Sequence, residues 1–376
     1  MDYSKKSIAL HKKNRGKIEI KVKVRLKNKT DLSLAYTPGV AAVSSAIGRD
    51  KKLSWLLTNR ANQVAIVTDG TAILGLGNLG PEAAMPVMEG KAVIFKEFAG
   101  IDAVPLCINT TYTEEIIKFC KLIEPSFGGI NLEDIFAPRC FEILQRLEKE
   151  LAIPVFHDDQ DGTAIVVLAA LINAGKVMGK AMKKLRIVIN GAGAAGIAVA
   201  RLLMAVGVGD LILLDSQGII YAGRAGLNSV KEKIARVTNR KRTKGGLTEA
   251  MASADVFIGL SQGNLVSSEM VKSMNKQPII FAMANPIPEI MPALAIKAGA
   301  AVVSTGRSDF PNQINNALVF PGIFRGLLDN KVRRVTTKIK IKAAMALAGV
   351  VKPSKEQLLP LVTDKRVVKA IVKAVK

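Results

Sequence analysis

The stretch "LRIVINGAGAAGIAVARLLMAVG", residues 185–207, reads in three parts. "LRIVIN" (185–190) is an apolar run, β-branched at Ile187, Val188 and Ile189, which suits a buried strand. Gly191, Gly193, Ala194, Ala195 and Gly196 follow, with the glycines in G-x-G-x-x-G spacing. "IAVARLLMA" (197–205) continues as a helix, and a second strand, "LILLD" (211–215), ends in Asp215, 19 residues after Gly196. A lone glycine pattern is weak. Set between a strand and a helix, with an acid closing the next strand, it points to a bound dinucleotide. The glycines permit the tight turn and let the pyrophosphate approach the helix N-terminus. Asp215 is expected to accept a hydrogen bond from the adenosine ribose and to repel a 2′-phosphate, which favours NAD; Arg224 nearby leaves NADP open as well.

Working outward, "ADVFIGL" (254–260), "PIIFAM" (278–283) and "AAVVST" (300–305) read as further strands. Upstream, "VAIVT" (64–68), "AVPLCI" (103–108), "FGGIN" (127–131) and "IPVF" (153–156) read as strands, with helices at 113–124, near 138–150 and at 163–175. Strands alternating with helices define an α/β fold with parallel sheets. The 376 residues suit two domains. These are an N-terminal α/β domain over 1–161 and a Rossmann-type, doubly wound dinucleotide-binding domain over 162–376.

Composition narrows the function. Lys and Arg number 54 against 31 Asp and Glu, a formal charge of +23. The charge is dense at 5–29, 231–244 and 331–342. Aromatic residues are only 5% and do not interleave with the basic runs, so base-stacking on nucleic acid is not expected. The excess charge instead reads as that of a basic proteome or a high-salt cytoplasm in which it is screened, with a general attraction for anionic substrates and cofactors as a side effect. "TAIVVLAALINAG" is interrupted by Asn173 and falls short of the roughly 18–20 apolar residues of a membrane span. The basic N-terminus has no apolar core and does not read as a secretory signal. Cys107, Cys120 and Cys140 lack metal-ligand spacing, which suits a reducing cytoplasm. With His11 and His157 the only histidines, a histidine-rich metal site is excluded.

So basic a chain nevertheless crowds three acids into "FHDDQDGTA" (156–164): Asp158, Asp159 and Asp161. Alone, this is a solvated turn before a helix. Glu133 and Asp134, however, lie just beyond the preceding strand. In open parallel sheets ligands sit outside the carboxyl ends of strands. Acids from two loops are therefore expected at one edge, where a hard divalent cation, Mg²⁺ or Mn²⁺, would relieve their repulsion.

With these residues in view, the sequence resembles the malic enzymes of the short bacterial and archaeal type. The likeness is carried by "DLSLAYTPGVA" (31–41), "VTDGTAILGLGNLGPEAAMPVMEGKAVIFKEFAG" (67–100), "NLEDIFAPRCFEI" (131–143), "PVFHDDQDGTA" (154–164), "NGAGAAG" (190–196), "MANPIPE" (283–289) and "GRSDFPNQINNALVFPGIFRG" (306–326). The resemblance implies that the N-terminal domain is catalytic and that malate is oxidised and decarboxylated to pyruvate and CO₂ with reduction of NAD(P)⁺. It assigns Glu133, Asp134 and Asp159 as metal ligands, with Asp158 positioning their loop. Lys91 becomes the general base, with a depressed pKa, and Tyr36 the general acid. Asn285, Asn315 and Asn316 contact substrate or the nicotinamide ribose. Read alone, Lys91 would be a surface lysine and the asparagines turn residues. A cytoplasmic homodimer is implied. Two departures stand out: Ala72 occupies the place of an arginine that clamps substrate in larger relatives, and Asp161 stands where short relatives carry His. The extra carboxylate is expected to strengthen metal binding or raise a neighbour's pKa. The competing functions are a malolactic activity with retained cofactor and a non-catalytic nucleotide-binding module that uses its basic face for nucleic acid.

Overall fold

The computed structural model describes residues 3–376. β1 (Gln63–Thr68), β2 (Asp102–Cys107), β3 (Gly129–Leu132) and β4 (Val155–His157) form a first sheet in the order β2-β1-β3-β4, parallel throughout. The second sheet contains β5 (Arg186–Asn190), β6 (Asp210–Asp215), β7 (Gly218–Ile219), β8 (Val256–Gly259), β9 (Ile279–Ala282) and β10 (Val302–Thr305), in the order β10-β9-β8-β5-β6-β7. Among the described residues, only β7 runs antiparallel. Helices cover both sheets, and the fold is α/β with a Rossmann-type half. Every strand expected from the apolar runs is present. β7 was not expected, because two residues carry no periodicity; it follows a tight turn and begins at Gly218, whose φ is 103°.

The strands are buried on both faces, as parallel strands must be. On β1, Val64 and Ile66 face one core while Ala65 and Val67 face another. On β5, Ile187 and Ile189 join the core of Val64 and Ile66, so one apolar layer runs between the two sheets. Its centre is the helix Thr163–Met178, which has eleven buried residues. The helical stretch Asp158–Met178 is 21 residues, longer than expected and, over its most apolar 18 residues, long and apolar enough to cross a membrane, but 72% of that window is buried inside the protein. Asn173, the polar interruption, donates to the carbonyls of Ala348 and Leu358, both at 2.8 Å, so its burial is compensated. The later helix Phe320–Asp329 returns to the first sheet, where Phe320 and Phe324 pack on Phe95 with ring centroids 4.7 and 5.3 Å away.

Ahead of β1 the chain is an arm. Its helices Tyr3–Asn14, Lys29–Ala35 and Val40–Arg49 bury no residue. Between the first two, Ile18, Ile20, Val22, Val24 and Leu26 alternate with Lys, Arg and Glu, and all five are exposed.

Candidate active site

The helix Pro81–Ala99 carries Lys91. Its buried residues are Ala84, Met88, Lys91, Ala92 and Phe95, spaced three or four apart along one face. Lys91 is thus on the core face and 7% exposed, not on the surface where its type alone would put it. Its Nζ lies 4.0 Å from the centroid of the Phe320 ring. It pairs with Glu133 Oε1 at 2.9 Å and donates a short hydrogen bond to Asp158 Oδ2.

The acids arrive from adjacent strand ends. Glu133 and Asp134 follow β3, Asp158 and Asp159 follow β4, and the register of Leu132 with His157 sets them side by side. Glu133 donates its backbone N–H to Val67 O and receives Asn131 Nδ2 at 2.9 Å. Asp134 takes the left-handed conformation, φ 51°, and gives its N–H to Asp159 Oδ2 at 2.8 Å. Glu133, Asp134 and Asp159 each offer an oxygen within 4.8 Å of the others.

Burial pushes Asp134 up to about 9, with repulsion from Asp159 and Glu133 adding to it. Glu133 is pushed up to about 7 and Asp159 to about 6, again first by burial. Asp158 rises to about 7 for the same reason. Lys91 departs from expectation. Burial opposes its charge, but Asp158 and Glu133 outweigh burial and hold its pKa above the ordinary value. Three crowded carboxylates, with Asp134 Oδ2 buried and unpartnered, fit a hard divalent cation: an all-oxygen donor set whose mutual repulsion such an ion would remove.

A cleft of about 1270 Å³ opens from Asp159 and Ala72 to Gly191–Gly196 and Asp215. Gly191 has φ 116°, where only glycine is relaxed. A Cβ on Gly196 would collide with Gly191 O, so the turn cannot form with a larger residue. The helix Ala194–Ala205 begins at this turn and aims its N-terminus into the cleft. These residues fit a dinucleotide. Asp215 holds Arg224 Nη2 at 2.5 Å and Lys231 Nζ at 2.6 Å. Burial opposes its ionisation, but these two partners pull its pKa down to about 2.

The other expected residues lie partly at the site and partly apart from it. Tyr36 ends the helix Lys29–Ala35 on the arm, 67% exposed, and among the described residues its hydroxyl has no hydrogen-bond partner. Asn285 is exposed on the loop after β9, with its carbonyl against Gly75. Asn315 accepts from the Ala317 N–H and caps a turn, while Asn316 approaches Gly162 beside Asp158. Asp161 does not turn toward the cluster of Glu133, Asp134 and Asp159: it pairs with Lys340 Nζ at 2.5 Å, 179 residues on. It therefore adds no oxygen to that cluster, although its charge contributes to raising Asp158. Sequence reasoning missed the partners Lys340, Lys231 and Glu289, which no local pattern marks.

Fold and cleft together define a Rossmann-type dinucleotide-binding protein with an acidic pocket opening into the cofactor cleft. Residues 15–148 match the family model of the malic enzyme N-terminal domain, and residues 160–376 that of the malic enzyme NAD binding domain. The chain is 55% identical over its full length to a bifunctional malic/malolactic enzyme of Bacillus subtilis, covering 92% of that protein. It is 52% identical to an NAD-dependent malic enzyme of Geobacillus stearothermophilus, over 96% of this chain and 76% of the relative. A crystal structure of an NAD-dependent malic enzyme from Thermotoga maritima superposes with a TM-score of 0.95 at 47% identity, covering 98% of each chain. The chain belongs to the malic enzyme family.

Proposed function

We propose that the chain oxidises and decarboxylates malate to pyruvate and CO₂ while reducing NAD(P)⁺. One observation carries this reading: Asp159 of the acidic cluster and Gly191–Gly196 line the same cleft. A hydride acceptor and a polarised hydroxyl can therefore meet.

Glu133, Asp134 and Asp159 would hold the divalent cation, which supplies Lewis-acid polarisation of the substrate when bound. The dinucleotide supplies the hydride acceptor. Lys91 acts at the C2 hydroxyl; its ammonium, held protonated by Asp158 and Glu133, would be freed for proton exchange once Glu133 turned its charge to the cation. Loss of hydride and proton leaves a 2-keto acid. Departure of CO₂ leaves an electron pair at C3, and Tyr36 donates the proton there. Asn285 and Asn316 orient substrate and ribose.

Tyr36 lies on an arm whose apolar row is exposed, with Ile20 98% exposed. Such a row supports a homodimer in which the arm packs on a second copy. Tyr36 would then complete the pocket of a partner. Mixing inactive Tyr36→Phe and Lys91→Ala chains should restore activity if it does. Three free cysteines suit a cytoplasmic location.

The test is reduction of NAD⁺ and of NADP⁺ at 340 nm with malate, with and without Mn²⁺, with pyruvate quantified. Metal-dependent NADH and pyruvate in equal amounts are expected. Their absence would remove the reading. The Bacillus subtilis relative favours a second activity, malolactic conversion, which would yield lactate without net NADH.

A further inference from the structure

Glu289 is fully buried, and among the described residues no Lys, Arg or His pairs with it. Its Oε1 accepts the Ser261 N–H at 3.2 Å, and its Oε2 accepts the Ala284 N–H at 3.0 Å. The carboxylate sits so close over the end of β8 that a Cβ on Gly259 would strike it. Two backbone donors favour the ionised form, against burial, which pushes its pKa up.

A buried carboxylate normally has a cation beside it. The two segments that Glu289 braces show where one could come from. Ser261 follows β8 and, with Leu260 and Gln262, lines the cleft that contains Gly191–Gly196. Asn190 at the end of β5 donates to Ser261 Oγ at 2.8 Å, tying this floor to the glycine turn. Ala284 directly precedes Asn285, on the loop after β9. Glu289 thus lies beneath the cleft at the carboxyl edge of the sheet, where a dinucleotide's reacting end is bound in this fold. An oxidised nicotinamide ring carries one positive charge, and a reduced ring carries none.

We propose that Glu289 is the counter-charge for the oxidised nicotinamide ring and sets the preference of the cleft for NAD(P)⁺ over NAD(P)H. It is a positioning and specificity residue that acts through its field and through the loops it holds. The inference rests on the dinucleotide reading of the cleft.

The experiment is calorimetric titration of NAD⁺, NADH and ADP-ribose into the whole protein and into Glu289→Gln. The variant should bind NAD⁺ about tenfold more weakly, the scale of one unit charge removed at intermediate dielectric. An amide accepts only one of the two backbone N–H bonds, so any loss from the weakened brace should fall equally on NADH and on ADP-ribose, which has no ring, and stay smaller than the loss for NAD⁺. Glu289→Asp keeps the charge and should keep the wild-type ratio of NAD⁺ to NADH affinity. Equal losses for all three ligands would make Glu289 a brace only and overturn the inference. Should Glu289→Gln fail to fold, the wild-type chain decides against benzamide adenine dinucleotide, a neutral isostere of NAD⁺. It should bind about tenfold more weakly than NAD⁺, and equal binding would overturn the proposal. A wild-type chain that bound neither NAD⁺ nor ADP-ribose would instead remove the dinucleotide reading itself.

Discussion

At the edge of the first sheet, Glu133, Asp134 and Asp159 bring three carboxylate oxygens within 4.8 Å. At the edge of the second, Gly191, Gly193 and Gly196 present bare backbone and a helix N-terminus, with Asp215 set to one side and already paired. Both edges are carboxyl ends of parallel strands, yet they prepare their ligands differently. The acidic edge is defined by charge that burial makes costly, so it calls for a cation. The glycine edge is defined by the absence of side chains, so it calls for a shape. Substitutions at the first should therefore change chemistry and spare cofactor binding, and substitutions at the second should do the reverse.

The largest effect is expected from Asp159→Asn. It removes one carboxylate charge at the point where the pocket meets the cleft. Turnover should fall by roughly three orders of magnitude, because a bound metal supplies several kcal/mol of charge stabilisation. Near-normal turnover in steady-state assays would show that the acids do not serve as a metal site.

Lys91→Ala and Tyr36→Phe should each cost about 10²–10⁴-fold, the usual range for a general acid or base, but at different steps. Lys91→Ala should also lose reduction of added oxaloacetate. Tyr36→Phe should keep that reduction and lose exchange of pyruvate C3 protons with deuterated water, followed by NMR. Wild-type exchange in Tyr36→Phe would transfer the acid role to another group.

On the glycine edge, Gly196→Ala puts a methyl group against Gly191 O. Forcing such an overlap typically costs about 1–3 kcal/mol, so NAD⁺ affinity and Tm should both drop. Unchanged values would mean that the turn relaxes freely and is not a shape-defined cradle.

The smallest effects belong to Asp215. Its folded pKa of about 2 lies below the ordinary carboxylate value, so its pairs with Arg224 and Lys231 stabilise above about pH 4. That contribution fades as pH falls toward about 2. Asp215→Ala should lower Tm at pH 7, lower it by roughly half as much at pH 3, and change it little below about pH 2. The same variant frees two cations, and its kcat/KM should shift toward NADP⁺ by about tenfold relative to NAD⁺. Equal loss for both cofactors would remove Asp215 as reader of the ribose.

The strands were legible because a parallel strand buried on both faces must be an apolar run, as β5 and β6 are. The cradle was legible because Gly191 and Gly196 answer to backbone geometry within six residues. The clustering of Glu133 with Asp159 followed from strand ends alone. What escaped were pairings set by distant parts of the chain. Lys91 meets Asp158 67 residues away, and Asp161 meets Lys340 179 residues away. The raised pKa of Lys91 followed from that unseen partner: burial alone would have lowered it, as expected. Glu289 was hidden for a related reason, since its partners are backbone N–H groups that every residue but proline possesses.

The acidic edge is expected to bind a divalent cation independently of the glycine edge, which is expected to bind the dinucleotide. The most direct measurement is calorimetric titration of Mn²⁺ and, separately, of NAD⁺ into the wild-type chain, Asp159→Asn and Gly196→Ala. Asp159→Asn should lose Mn²⁺ binding and keep NAD⁺ affinity, while Gly196→Ala should lose NAD⁺ affinity and keep Mn²⁺. Undiminished Mn²⁺ binding in Asp159→Asn, or loss of both ligands together in either variant, would contradict it.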